Sequence, residues 1–243
     1  MCKSCEIRMV GRRGFLAMAG VGLGLAAGGF AFGIGPAVAA AGGPKTSMTA
    51  DEALASLKTG NARYVASPEL CTADLQARRT KLAESQAPWA TIVSCSDSRV
   101  PPELLFGGLG LGELFVARNA GNMVDTSTMG TIEYGAAVLG APLILVLGHE
   151  RCGAVVAACD IVSKKATFPG SIGPMVKAIV PAALAVRNQP GDFVDNTVRE
   201  SAKRTALQIA TKSPIIAPLV KKGSVKVVAG RYDLDDGKVE VFA

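Results

Sequence analysis

Two cysteines and the only histidine of the 243-residue chain are spaced so that they could share a metal ion. Cys95 closes the apolar run 90–94 and opens the segment Cys95-Ser96-Asp97-Ser98-Arg99. His149 follows a second apolar run, 143–148, and stands three residues before Cys152 in His149-Glu150-Arg151-Cys152. Two thiolates and one imidazole fill three of zinc's four tetrahedral positions and leave one for water or substrate, the pattern of a catalytic site. A structural zinc finger fits poorly, because there is one histidine and no second C-x-x-C after it. The zinc deaminase pattern, H-x-E with a later P-C-x-x-C, is absent as well. Plainer readings exist for each residue: a lone histidine beside a strand is commonly a hydrogen-bonded core or surface group, and a cysteine three positions away arises by chance.

Asp97 and Arg99 raise the case for chemistry. Taken alone they form an i, i+2 surface ion pair of little energetic worth. Beside zinc they gain a sharper role. A zinc-bound hydroxide needs a fixed hydrogen-bond acceptor if its lone pair is to point at an electrophile. A carboxylate supplies that acceptor, and a two-pronged guanidinium holds the carboxylate oriented and ionised. Such support commonly surrounds a catalytic metal.

The elements that must position these groups follow from hydropathy patterning. A helix capped by Thr49 or Asp51 is expected to about Ser67, and a second, polar one over 72–86, before Pro88. Short β-type runs lie at 90–95, 114–118, 143–148, 224–229 and 238–242, with helical patterns at 127–140, 152–163, 173–187 and 192–213. Unbroken apolar strands alternating with helices predict an α/β fold. The expected sheet is mostly parallel, with helices on both faces. Cys95 ends the first strand, while His149 and Cys152 follow the third, so two loops converge on the carboxyl edge where ligands bind in open α/β sheets.

The N-terminus reads as a targeting segment. Arg12-Arg13 precede Gly14-Phe15-Leu16, residues 14–44 carry no charge, and small residues close the run near position 40. This resembles a twin-arginine export signal. The expectation is therefore a cleaved signal over 1–40, a zinc domain over 41–243, a periplasmic or exported mature protein, and no stable membrane anchor after processing. Removing residues 1–40 lowers the formal charge from +6 to +3. No basic run with interleaved aromatics remains, which argues against nucleic acid as a partner. Of the other cysteines, Cys2 and Cys5 fall within the signal, whereas Cys71 and Cys159 are read as buried or free thiols, with a disulfide left open.

Three segments together are similar to the signatures of the β-class carbonic anhydrases: Cys95-Ser96-Asp97-Ser98-Arg99-Val100-Pro101, Phe115-Val116-Ala117-Arg118-Asn119-Ala120-Gly121-Asn122 and Gly148-His149-Glu150-Arg151-Cys152-Gly153-Ala154. Thr131-Ile132-Glu133-Tyr134-Gly135, Val198-Arg199-Glu200 and Tyr232-Asp233-Leu234 extend the resemblance over roughly 50–243. The resemblance implies that Cys95, His149 and Cys152 hold Zn2+ and that Asp97 and Arg99 form a catalytic pair. It also implies reversible hydration of carbon dioxide to bicarbonate by zinc-bound hydroxide. The implied fold is a four-stranded parallel sheet with a C-terminal antiparallel strand, assembled as a homodimer or homotetramer. Glu150-Arg151 depart from the family's usual Ser-x or Tyr-x, and both are expected to point to solvent. Ile92 stands where bicarbonate-regulated members carry tryptophan, although Arg118 and Tyr232 match other parts of that pocket. Hydrolysis of carbonyl sulfide or carbon disulfide on the same scaffold, and non-catalytic zinc binding, are the alternatives.

Overall fold

The computed structural model describes residues 45–67, 79, 80 and 82–242. The expected export segment 1–40, Cys71 and most of the expected 72–86 helix lie outside the described residues. The first element, α1 (Ala50–Ala66), begins at Thr49, whose side chain accepts the Glu52 amide while Glu52 reaches back to the Thr49 amide. That reciprocal capping satisfies two amides a helix N-terminus would otherwise leave bare.

Among the described residues five strands form one sheet: β1 (Ala90–Cys95), β2 (Leu114–Asn119), β3 (Leu143–His149), β4 (Lys226–Tyr232) and β5 (Val239–Phe242). Their order is β2-β1-β3-β4-β5. All pairings are parallel except that of β4 with β5. The expected fold class is therefore what the structure shows. The fourth strand starts two residues later than expected, at Lys226 rather than Ser224.

Helices cover both faces, and the period-2 alternation of β3 shows why. Leu143, Leu145 and Leu147 pack with Ile92, Val228 and the α1 residues Ala53 and Leu57. Ile144 and Val146 face the other way, toward Ile132, Ala202, Ala206, Ile209 and Ile216. A strand sandwiched in this way is expected to be an unbroken apolar run, as β3 is up to Gly148. The opposite face is built from α3 (Thr126–Glu133, after the short α2, Pro102–Leu105), α7 (Phe193–Lys212) and α8 (Ile216–Lys221). Between β3 and α7 run α4 (Gly153–Lys164), α5 (Ile172–Lys177) and α6 (Val180–Val186). The single helix expected over 173–187 is thus two. Pro181 lies in the first turn of α6, where its missing amide does no harm, whereas inside a continuous helix it would break the ladder. The helix expected over 127–140 changes at Tyr134 into a π-type turn, Tyr134–Val138. No helix among the described residues is long and apolar enough to cross a membrane.

Gly148 lets α7 lie close against β3. A Cβ there would meet Val198 Cγ1 at 2.9 Å, the Val198 carbonyl oxygen at 3.4 Å and Ala202 Cβ at 3.6 Å. Gly148→Ala is therefore expected to cost about 1–3 kcal/mol through overpacking. At matched zinc saturation this should appear as a lower urea midpoint with an unchanged slope. A midpoint equal to wild type would mean that α7 yields without cost.

Candidate metal centre

The sheet reverses its winding between β1 and β3: the chain moves outward to β2 on one side and to β4 on the other. Such a switch point leaves a crevice beyond the carboxyl ends of the two central strands. Cys95 is the last residue of β1 and His149 the last of β3. The chain then turns at Arg151, whose φ of 51° is left-handed, and places Cys152 at the N-cap of α4. One ligand atom from each of Cys95, His149 and Cys152 lies within 4.8 Å of the others. The two sulfurs are 3.9 Å apart. All three residues are buried.

The histidine ring is already oriented as a ligand. Nδ1 lies 2.9 Å from the Glu150 carbonyl oxygen, which can only accept, so Nδ1 carries the proton and Nε2 keeps its lone pair. Among the described residues Nε2 is buried with no hydrogen-bond partner, a costly state for a polar atom unless it binds something. A soft, two-sulfur, one-nitrogen donor set with a free imidazole lone pair fits zinc.

Local backbone groups temper the sulfur charge. The Gly121 amide points at Cys95 Sγ from 3.4 Å. Gly121 has a φ of 85°, and a Cβ there would meet Ile179 Cδ1 at 2.7 Å, so glycine is the residue that permits this approach. The two thiols lie within hydrogen-bond reach of each other. Cys152 is pushed up first by Cys95 and then by burial, against the Val155 and Ala154 amides at the start of α4. Cys95 is lowered first by the hydrogen bond from Cys152. Thiols give up their protons on binding a cation, which makes metal binding proton-releasing.

Asp97 sits at the rim. Its Oδ2 is 3.8 Å from His149 Nε2. Arg99 grips both carboxylate oxygens: Nε donates to Oδ1 at 2.9 Å and Nη2 to Oδ2 at 2.8 Å, and the Arg99 amide adds a third bond to Oδ1 at 2.9 Å. The guanidinium holds the Asp97 carboxyl well below the usual carboxylate range, against the opposing effect of burial. The loop carrying this pair is itself anchored by Arg118, whose Nε donates to the Cys95 carbonyl at 2.8 Å and whose Nη2 donates to the Asp97 carbonyl at 2.7 Å.

All five residues singled out from the sequence are thus brought together. Tyr232, also singled out there, is buried, with its hydroxyl 3.3 Å from that of Tyr64. Cys159 is a buried free thiol donating to Thr197 Oγ1 at 3.4 Å. The expectation that Glu150 and Arg151 both face solvent is corrected. Arg151 is 52% exposed, but Glu150 is only 18% exposed and accepts the Leu234 amide at 3.1 Å. It belongs to an ionic group with Arg231, Asp195 and Asp233 that sequence reasoning missed. The signal was present in Glu150 itself, a charge where the family usually has Ser or Tyr. Its partners lie about 45 and 80 residues away, so nothing local names them.

Known proteins give the same family. The carbonic anhydrase family profile matches residues 90–239. A carbonic anhydrase of Mycolicibacterium smegmatis is 38% identical over 185 residues, covering 76% of this chain and 89% of that protein. Among solved structures, the Coccomyxa β-carbonic anhydrase in complex with acetazolamide is 28% identical with a TM-score of 0.57, covering 70% of this chain and 86% of that one. A tetrameric β-carbonic anhydrase of Sordaria macrospora shares the fold at a TM-score of 0.61 and 24% identity, covering 68% and 85%. On its fold, its cysteine-histidine-cysteine cluster and these likenesses, the chain belongs to the β-class carbonic anhydrases.

Proposed function

We propose that this chain interconverts carbon dioxide and bicarbonate outside the cytosol, with Cys95, His149 and Cys152 holding zinc and Asp97 and Arg99 orienting the attacking oxygen. The observation that carries this reading is the convergence of three buried ligand atoms within 4.8 Å beside a carboxylate whose two oxygens are both fixed by Arg99. Zinc, when bound, supplies Lewis acidity that lets water ionise near neutral pH. The remaining work belongs to the protein. Asp97, ionised and immobile, accepts the hydrogen of the attacking O–H and so turns the oxygen's lone pair toward carbon. Arg99 keeps that carboxylate from rotating or protonating. With its sole imidazole in the ligand set, the chain must hand the released proton to water, a carboxylate or buffer rather than to a histidine relay.

We further propose a homodimer or homotetramer. Support comes from apolar side chains left exposed on the single chain, among them Leu207, Ile172, Leu184, Leu104 and Tyr134. Export rests on Arg12-Arg13 and the uncharged run behind them.

Stopped-flow carbon dioxide hydration on the processed protein, paired with metal analysis, tests the central reading. Asp97→Asn should retain zinc while kcat/KM falls by about 10²–10⁴-fold, the range for a group acting on proton placement. Full activity would remove Asp97 from its role. Arg99→Gln withdraws the main cause of Asp97's low pKa and leaves burial, which raises it, opposed by the main-chain amide at position 99. In the wild type, stability linked to Asp97 is present above pH about 4 and is lost as pH falls below it; in the variant that contribution is smaller, so less stability is lost on acidification. A carbon-13 titration of the carboxyl should then give a midpoint above that of the wild type, and an unmoved one would place the cause elsewhere. Replacing Arg12 and Arg13 with lysine should leave precursor in the cytosol, whereas undiminished export would point to another route.

A further inference from the structure

The mechanism makes no use of Glu150, yet Glu150 is tied down at every polar group it has. Its amide donates to the Tyr232 carbonyl at 2.9 Å. Its carbonyl receives His149 Nδ1 at 2.9 Å. One carboxylate oxygen, Oε2, accepts the Leu234 amide at 3.1 Å. The other, Oε1, lies 3.2 Å from Arg151 Nη1 and 3.7 Å from Arg231 Nη2. Arg231 is 11% exposed and is itself fixed by Asp195 and by Asp233, the latter at 2.9 Å.

We propose that Glu150 is a positioning residue for the metal centre: its carboxylate, clamped by the β4–β5 turn and Arg231, fixes the carbonyl that orients His149. The inference rests on the reading of Cys95, His149 and Cys152 as zinc ligands. The physical argument concerns the short link 150–151. Arg151 must adopt a left-handed φ of 51° to bring Cys152 back toward His149, a conformation costing a non-glycine residue about 1–2 kcal/mol. A link under such strain relaxes unless its neighbours hold it. Any rotation of the 150–151 peptide would swing the Glu150 carbonyl away from Nδ1 and free the ring to turn its lone pair off the metal. Groups that orient a ligating histidine typically govern metal affinity for this reason.

Two clamps are available, and their burial decides between them. The Arg151–Asp235 pair joins side chains that are 52% and 70% exposed, a setting in which ion pairs contribute little. Glu150 and Arg231 are 18% and 11% exposed, and the Leu234 amide gives Glu150 a charge-assisted bond that solvent screens less. Glu150 is therefore the main clamp and Arg151 the lesser one.

The test is zinc release from the processed, zinc-loaded protein into excess chromogenic chelator, together with the visible d–d bands of the cobalt(II)-loaded protein. Glu150→Ala should release zinc roughly 10–100-fold faster and shift the cobalt bands. Glu150→Gln, whose amide oxygen can still accept the Leu234 N–H but carries no charge for Arg231, should fall between wild type and Glu150→Ala. Arg151→Ala should stay within about threefold of wild type, as befits an exposed pair. If Glu150→Ala does not fold, Glu150→Asp, one methylene short of Leu234, takes its place with the same expected direction. Wild-type release and unshifted bands in Glu150→Ala, or in Glu150→Asp where that replaces it, would overturn the proposal. Cys152→Ser separates this failure from a deeper one. If it loses zinc while the Glu150 variants do not, only the clamp is wrong; if it keeps zinc, the ligand reading itself falls.

Discussion

The centre depends on the register between β1 and β3. Ser94 lies opposite Leu147, so the two strands end almost level, with Cys95 and His149 as their last residues. Side chains alternate faces along a strand, and a slip of one residue would turn Cys95 and its whole apolar set to the other side. The register is held by the two cores, because Leu145 and Val146 must each meet their own layer of helices. Packing far from the sulfurs thus sets the distance between them. The third ligand needs no strand: Cys152 is placed at the N-cap of α4.

Most of this was legible because the sheet is buried on both faces. Strands of that kind appear as short, unbroken apolar runs, and the first three were readable nearly to the residue. The long helices α1 and α7 were legible too, although the structure, not the pattern, picks Thr49 over Asp51 as the cap of α1 and assigns Asp192 to α7. What escaped notice was local. Pro181 splits one apparent helix because a periodicity count does not register a missing amide. The four-residue α2 and six-residue α8 are too short to show a helical period. Ser224 and Val225 extend the apolar pattern of β4 backward, but they close the turn after α8 through their amides to the Leu219 carbonyl.

The site divided in a similar way. Cysteine, histidine, aspartate and arginine at strand ends announce themselves by type, so the five candidate residues are legible from the sequence without their proximity. Glu150 did not, because its partners Leu234 and Arg231 come from the other end of the chain and meet it only once β4 pairs with β3. Parallel pairing brings such distant segments side by side, which is why charged groups in loops are the least readable part of an α/β sequence.

The Asp97–Arg99 pair shows how a surface interaction can escape the usual weakness of surface interactions. Arg99 is 54% exposed while Asp97 is 17% exposed, and a flexible arginine in water ordinarily gains little from one carboxylate. Here the two residues share a tight turn in which the Val100 amide already bonds the Asp97 carbonyl at 3.0 Å. The Arg99 main-chain amide and its Nε then reach the same oxygen from one residue. Backbone order thereby supplies much of the orientation that the side chain would otherwise lose entropy to achieve. Asp97 stands where the dry ligand cluster meets solvent, with one oxygen 3.8 Å from the His149 lone pair. A carboxylate buried deeper would be driven toward protonation, and one further out would be free to rotate. The observed depth keeps Asp97 both ionised and fixed, which is what orienting a nucleophile requires.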